Sequence, residues 1–143
     1  MLKQMRHAAL ALLLAPLAPV AFAQNGDPAA SSYVVGFDVA TQLAQVGPDM
    51  DLAAFENALS AALAGKAPSL DQAETRRIGQ ALAQRVAARG GRPVPGLPPG
   101  SEPPAVDRAK VGQMLGADVG RSLAAMDEEL NLAAVMRGVR DRL

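Results

Sequence analysis

An internal repeat is the sequence feature that most restricts how this chain can fold. Residues 33–63 align with residues 113–143 without a gap, at a constant offset of 80 positions. Nine aligned pairs are identical: Gly36/Gly116, Asp38/Asp118, Val39/Val119, Leu43/Leu123, Ala44/Ala124, Leu52/Leu132, Ala53/Ala133, Ala54/Ala134 and Leu63/Leu143. The shared Gly-x-Asp-Val and the aligned Asp51 and Asn131 are not alanine matches, so the repeat indicates a duplication rather than common composition.

Each copy predicts two helices, because its apolar residues recur three or four positions apart. In the first copy the stripes are Val35, Val39, Leu43 and Val46, then Leu52, Phe55, Leu59 and Leu63. In the second copy they are Val111, Leu115, Val119 and Leu123, then Leu132, Val135, Val139 and Leu143. "GPD" at 47–49 separates the two helices of the first copy. Asp51 and Asn131 are predicted to cap the second helix of each copy.

A third, longer helix follows the first copy. Its predicted start is a capping box of Ser69 and Gln72, and its predicted stop is Gly90. A Pro/Gly linker over 90–105 then separates a first helical domain, 31–89, from a second and shorter one, 106–143. The predicted fold is all-α: tandem helical-pair repeats plus one longer helix, interlocked as a small helical bundle.

Glycines inside the predicted helices require an explanation, since each costs about 1 kcal/mol relative to alanine. Gly112, Gly116 and Gly120 lie four residues apart beside an apolar stripe, and no Gly-Lys-Ser/Thr follows them, which excludes a phosphate-binding loop. Close helix packing is the better explanation. The predicted packing and interface residues are Gly36, Ala40, Leu43, Phe55, Gly116, Gly120, Leu123, Val135 and Gly138.

The first 23 residues are typical of an export signal. Lys3 and Arg6 precede an apolar run, which ends in the small residues Ala21 and Ala23. We expect cleavage after Ala23, and the run is too short for a membrane span. The sequence therefore predicts an exported protein with residues 1–23 removed.

Composition narrows the function classes. The chain has no cysteine, and its one histidine, His7, belongs to the signal, which leaves no usual zinc ligand and no usual base for a serine nucleophile. Without Lys3 and Arg6, 12 basic and 14 acidic residues remain, a balance that disfavours nucleic-acid and membrane surfaces. We expect no catalytic residue, metal or cofactor. We assign the larger apolar side chains to the core: Tyr33, Phe37, Phe55, Met114, Met126 and Met136. The alternative is an adaptable client-binding surface built on methionine.

The motifs resemble a known family. "SYVVGFDVATQLAQVGPDMDLAAFENAL" and "SLDQAETRRIGQALAQRV" are similar to the N-terminal domain of exported bacterial FKBP-type peptidyl-prolyl isomerases of the macrophage infectivity potentiator kind. The first copy keeps the family's opening Tyr33, Gly36 and Asp38 but has Ala58 and Ala61 in the closing motif. The second keeps the closing Gly138, Asp141 and Leu143 but has Gln113 in place of the opening tyrosine.

The resemblance implies a periplasmic role in protein folding and dimerisation by interlocking of the first two helices. We therefore expect a non-catalytic interaction module that binds unfolded clients or partner helices, including those of a full-length FKBP isomerase. The alternative is a truncated isomerase that lacks its catalytic domain, since the sequence has no alternating strand pattern for such a sheet domain. The two copies could pair as an internal pseudo-dimer or between two chains as a homodimer, and the 90–105 linker is long enough for the internal arrangement.

Overall fold

The computed structural model describes residues 26–126 and 128–143, so the predicted signal at 1–23 lies outside the described residues. Five α-helices follow one another in this part of the chain: α1 (Pro28–Leu43), α2 (Leu52–Leu63), α3 (Gln72–Arg89), α4 (Arg108–Ala124) and α5 (Leu132–Arg142). A short 3₁₀ helix, Gly47–Asp49, joins α1 to α2. No strand occurs in the described residues, and the predicted all-α fold is confirmed. None of these helices is long and apolar enough to cross a membrane.

Each of the five described α-helices is preceded by an Asp or Asn whose side chain accepts a hydrogen bond from a backbone N–H of the first turn. The predicted caps Asp51 and Asn131 are confirmed: they accept from Ala54 N at 2.8 Å and Ala134 N at 3.0 Å. The predicted capping box of Ser69 and Gln72 is wrong. Asp71 caps α3 instead, accepting from Glu74 N at 2.7 Å, because its short carboxylate immediately precedes the first helical residue.

The main helix packing runs between the repeats rather than within them. In the described residues, α1 packs along α5 and α2 packs along α4. The contacts advance in the same direction on both helices of a pair. On α1 and α5 they pass from Ser32 with Asn131 to Thr41 with Arg142, so the two helices run parallel. Each repeat therefore buries its apolar stripes against the other repeat.

The core lies where these two helix pairs meet. Its largest fully buried side chains are apolar and come from both repeats: Phe55, Leu59, Met136, Val111, Val135 and Val139. The assignment of Phe37 and Met126 to the core is wrong, because 38% and 43% of these residues are exposed. Phe37 lies on the solvent side of α1, where the Arg142 guanidinium covers its ring at 5.9 Å from the centroid.

Helix α3 packs Leu82 and Ile78 against the core and is also attached to the paired helices through charges. The buried carboxylate of Asp49, 4% exposed, accepts from Arg85 Nε at 2.7 Å and from Arg89 Nη2. Arg89 also donates to the Gln45 carbonyl at 2.6 Å, and Lys110 of α4 pairs with Glu74. One buried acceptor therefore fixes two arginines of α3 against the turn between α1 and α2.

We predict that Asp49→Ala destabilises the protein by about 2 kcal/mol, because charged hydrogen bonds to two arginines are lost. Asp118→Ala is the matched control, since Asp118 is 73% exposed and its pair with Arg121 is solvated, so about 0–1 kcal/mol is expected. Denaturant unfolding followed by circular dichroism measures both. Equal stabilities of the two variants would contradict the anchoring role of Asp49.

Candidate helix-interlocking interface

Two equivalent glycines form close backbone contacts between the repeats. A Cβ atom on Gly36 of α1 would collide with the backbone of α5, within 2.7 Å of Val135 C and even closer to Val135 O. A Cβ atom on Gly116 of α4 would collide in the same way with Phe55 O of α2. Because Gly116 and Val135 lie 80 positions after Gly36 and Phe55, the two helix pairs repeat one packing contact.

Three further glycines continue these contacts. Added Cβ atoms on Gly112 and Gly120 of α4 would lie 2.9 Å from Phe55 N and 2.9 Å from Leu59 O of α2. One on Gly138 of α5 would lie 2.7 Å from Phe37 N of α1. Glycine is required at these positions because the facing helix backbone occupies the space of a side chain.

The remaining residues predicted for the interface lie beside these glycines. Ala40, Phe55 and Val135 are fully buried, and Leu123 is 5% exposed. Leu43 is partly buried and packs against the same core. The structure thus brings the predicted set together along the α1–α5 and α2–α4 contacts.

A polar and aromatic cluster on the α1–α5 side was missed by sequence reasoning. Tyr33 Oη donates to Asp141 Oδ2 at 3.1 Å, and the Arg137 guanidinium lies 5.3 Å from the centroid of the Tyr33 ring. The hydrogen bond to Asp141 raises the pKa of Tyr33 most, with desolvation and the Asp141 charge adding to it, whereas the Arg137 charge lowers it. The signal was present in the sequence: the opening tyrosine survives in one copy and the closing aspartate in the other.

In this cluster the opening motif kept by the first repeat meets the closing motif kept by the second repeat. Tyr33 comes from the first repeat, whereas Gly138 and Asp141 come from the second. On the α2–α4 side the equivalent positions hold Gln113, Ala58 and Ala61, which cannot make the same hydrogen bond. The two interfaces therefore share their backbone packing but differ in side-chain chemistry.

Comparison with known families supports the resemblance. Residues 29–92 match the family model described as the domain amino terminal to FKBP-type peptidyl-prolyl isomerase. The match covers the first repeat and α3, so the resemblance stated for these residues is confirmed. No curated protein and no solved structure matches the chain. The described residues contain no group of three or more His, Cys, Asp or Glu placed to hold a metal ion.

We predict that Gly116→Ala destabilises the protein by about 3 kcal/mol or more, because the facing atoms belong to the backbone of α2 and cannot move aside. Gly79→Ala is the control in α3: nothing lies within 4 Å of an added Cβ, so alanine should stabilise by about 0.5–1 kcal/mol. Thermal unfolding measures both variants. Stabilisation of both would refute the close-packing role of Gly116.

The titration of Tyr33 provides an independent test of the cluster. Asp141→Ala should lower the pKa of Tyr33, because the hydrogen-bond acceptor and the negative charge are removed, whereas Arg137→Gln should raise it further. Tyr33 is the chain's only tyrosine, so tyrosinate absorbance reports it alone. The folded state favours the neutral phenol, so stability from this contact is present below pH 10 and is lost as the pH rises through the raised pKa. Identical titrations in all three proteins would contradict the contact.

Proposed function

We propose that this protein is an exported, non-catalytic helical module that acts in protein folding by binding a partner or an unfolded client. The observation that carries the proposal is the match of residues 29–92 to the domain that precedes FKBP-type isomerases. The export pattern of residues 1–23 supports an exported protein, and the resemblance to exported bacterial proteins favours the periplasm.

The helix pairing indicates whether each repeat associates with the other repeat of the same chain or with a second chain. The resemblance implies that such domains dimerise by interlocking two helices from each of two chains. Here α1 and α2 of one repeat pack against α5 and α4 of the other repeat in the same chain. We therefore propose an internal pseudo-dimer, which leaves the outer helix faces for partners or clients.

The outer face of α1 supports client binding. Val34 is 55% exposed and Phe37 is 38% exposed on this helix, and they lie three positions apart, as neighbours on a helix surface do. Exposed apolar side chains on a stable scaffold can hold apolar segments of an unfolded chain. Val34 is the more exposed of the two, and Arg142 of α5 covers the Phe37 ring.

Suppression of client aggregation tests the proposal. The mature protein, residues 24–143, should slow the aggregation of a chemically unfolded client and give no proline isomerisation above the uncatalysed rate. Val34→Ser should weaken the suppression, because apolar surface is lost, whereas Asp38→Ser on the same exposed helix should not.

Isomerase activity of the purified mature protein would overturn the non-catalytic proposal and favour an enzyme. A mature protein that neither suppresses aggregation nor binds a full-length exported FKBP isomerase would overturn the role in folding. Light scattering after gel filtration gives the mass: a monomer at all concentrations supports the internal pseudo-dimer, whereas a stable dimer supports pairing between chains.

A further inference from the structure

A cavity of about 440 Å³ opens between α2 and α4. Its apolar walls are alanine methyl groups, from Ala58, Ala61 and Ala62 of α2 and from Ala117 of α4. Side-chain amides of Asn57 and Gln113 also line it, and the segment 66–69 after α2 borders it. Its volume lies within the range of small-molecule sites, roughly 300–1,000 Å³.

The repeat explains why the cavity is there. On the α1–α5 side, five residues form the aromatic and charged cluster: Tyr33, Phe37, Arg137, Asp141 and Arg142. Their equivalents at the offset of 80 are Gln113, Ala117, Asn57, Ala61 and Ala62, and all five line the cavity. The helix backbones approach closely at glycine on both sides, so the smaller side chains leave space where the first interface holds aromatic rings.

The charged side chains around the cavity indicate which charge a ligand there would carry. Lys66 and Arg121 both line it, and Lys66 pairs with no carboxylate of the described residues. Arg121 is 63% exposed, and its pair with Asp118 is long, at 3.3 Å. The lining carboxylate of Asp51 already accepts the Ala54 N–H as a helix cap. Two cations therefore line the cavity against one carboxylate, and this excess of positive charge favours an anion.

We propose that the cavity between α2 and α4 binds an aromatic ring that carries a carboxylate. The alanine methyl groups contact the ring, and Lys66 and Arg121 pair with the carboxylate at the rim. A cavity of about 150 Å³ suffices for benzene, so this one holds a ring with a short acidic chain. The site is independent of the proposed role in folding, because it does not use the exposed face of α1.

Phenylacetate is the probe, and isotope-labelled alanine methyl groups of the mature protein are the reporters. We expect NOEs between the ring protons and the methyl groups of Ala58, Ala61 and Ala117. Phenethyl alcohol, which keeps the ring but lacks the charge, should bind about tenfold more weakly, and cyclohexylacetate, which lacks the aromatic ring, should also bind more weakly. Absence of these NOEs at saturating phenylacetate would overturn the proposal.

Variants test the location and the charge separately. Ala61→Asp with Gln113→Tyr restores the tyrosine and aspartate of the other interface, so it should fill the cavity and weaken phenylacetate binding at least about tenfold. Ala117→Phe fills the cavity from α4 and should also weaken phenylacetate binding, so it serves as the test if the double variant does not fold. Arg121→Gln should weaken phenylacetate binding but not alcohol binding, whereas the exposed Arg76→Gln should change neither. Unchanged binding in a folded, filled variant would refute the site.

The carboxylate can come from a free aromatic acid or from the C-terminal phenylalanine of a peptide. Peptides ending in phenylalanine, with a free or an amidated C-terminus, distinguish these sources. Tighter binding of the free-acid peptide than of phenylacetate supports chain ends as the ligand, and weaker binding supports the small acid. Because the NOE experiment needs no client or isomerase, failure of the folding role leaves its result intact.

Discussion

The approach of helix backbones at glycine is the contact on which the rest of this structure depends. Gly36 faces the Val135 backbone and Gly116 faces the Phe55 backbone, each with no space for a Cβ atom. Such short separations allow Phe55, Val135 and their neighbours to be buried completely although each helix is short. Glycine inside a helix lowers the stability of that helix, and close packing against the facing helix offsets this loss. Because the facing helix belongs to the other repeat, each repeat depends on the other for its folding.

The charged contacts play a different part. They do not form the core but fix the position of elements around it, as Asp49 does for α3 through Arg85 and Arg89. The Arg140–Glu56 pair similarly joins α5 to α2, although solvent reaches both side chains and the pair contributes little stability. Apolar packing and glycine contacts therefore hold the repeats together, while one buried carboxylate orients the longer helix.

The two interfaces have diverged in opposite ways from one pattern. The α1–α5 side combines the tyrosine of the first repeat with the glycine and aspartate of the second, and aromatic and charged side chains cover it. The α2–α4 side retains the glycines but has alanine and amides around a cavity. In a symmetric dimer of two identical single repeats, the two helix-pair interfaces would be the same. Two copies in one chain allow each interface to change separately.

Sequence alone determined the helices, because periodic apolar residues and Asp or Asn caps are local signals that survive in any packing. It also identified the glycines as packing positions, though not the backbone atoms they face. It wrongly assigned Phe37 to the core, because the spacing of apolar residues did not show that this side chain lies on the solvent side of α1. It wrongly assigned Ser69 as a helix cap, because the spacing of Ser69 and Gln72 matches a capping box although the carboxylate of Asp71 is the stronger acceptor. Only the tertiary structure decided that Tyr33 meets Asp141 across 108 positions and that Gln113 and Ala61 border a cavity, because these juxtapositions depend on which helix packs against which.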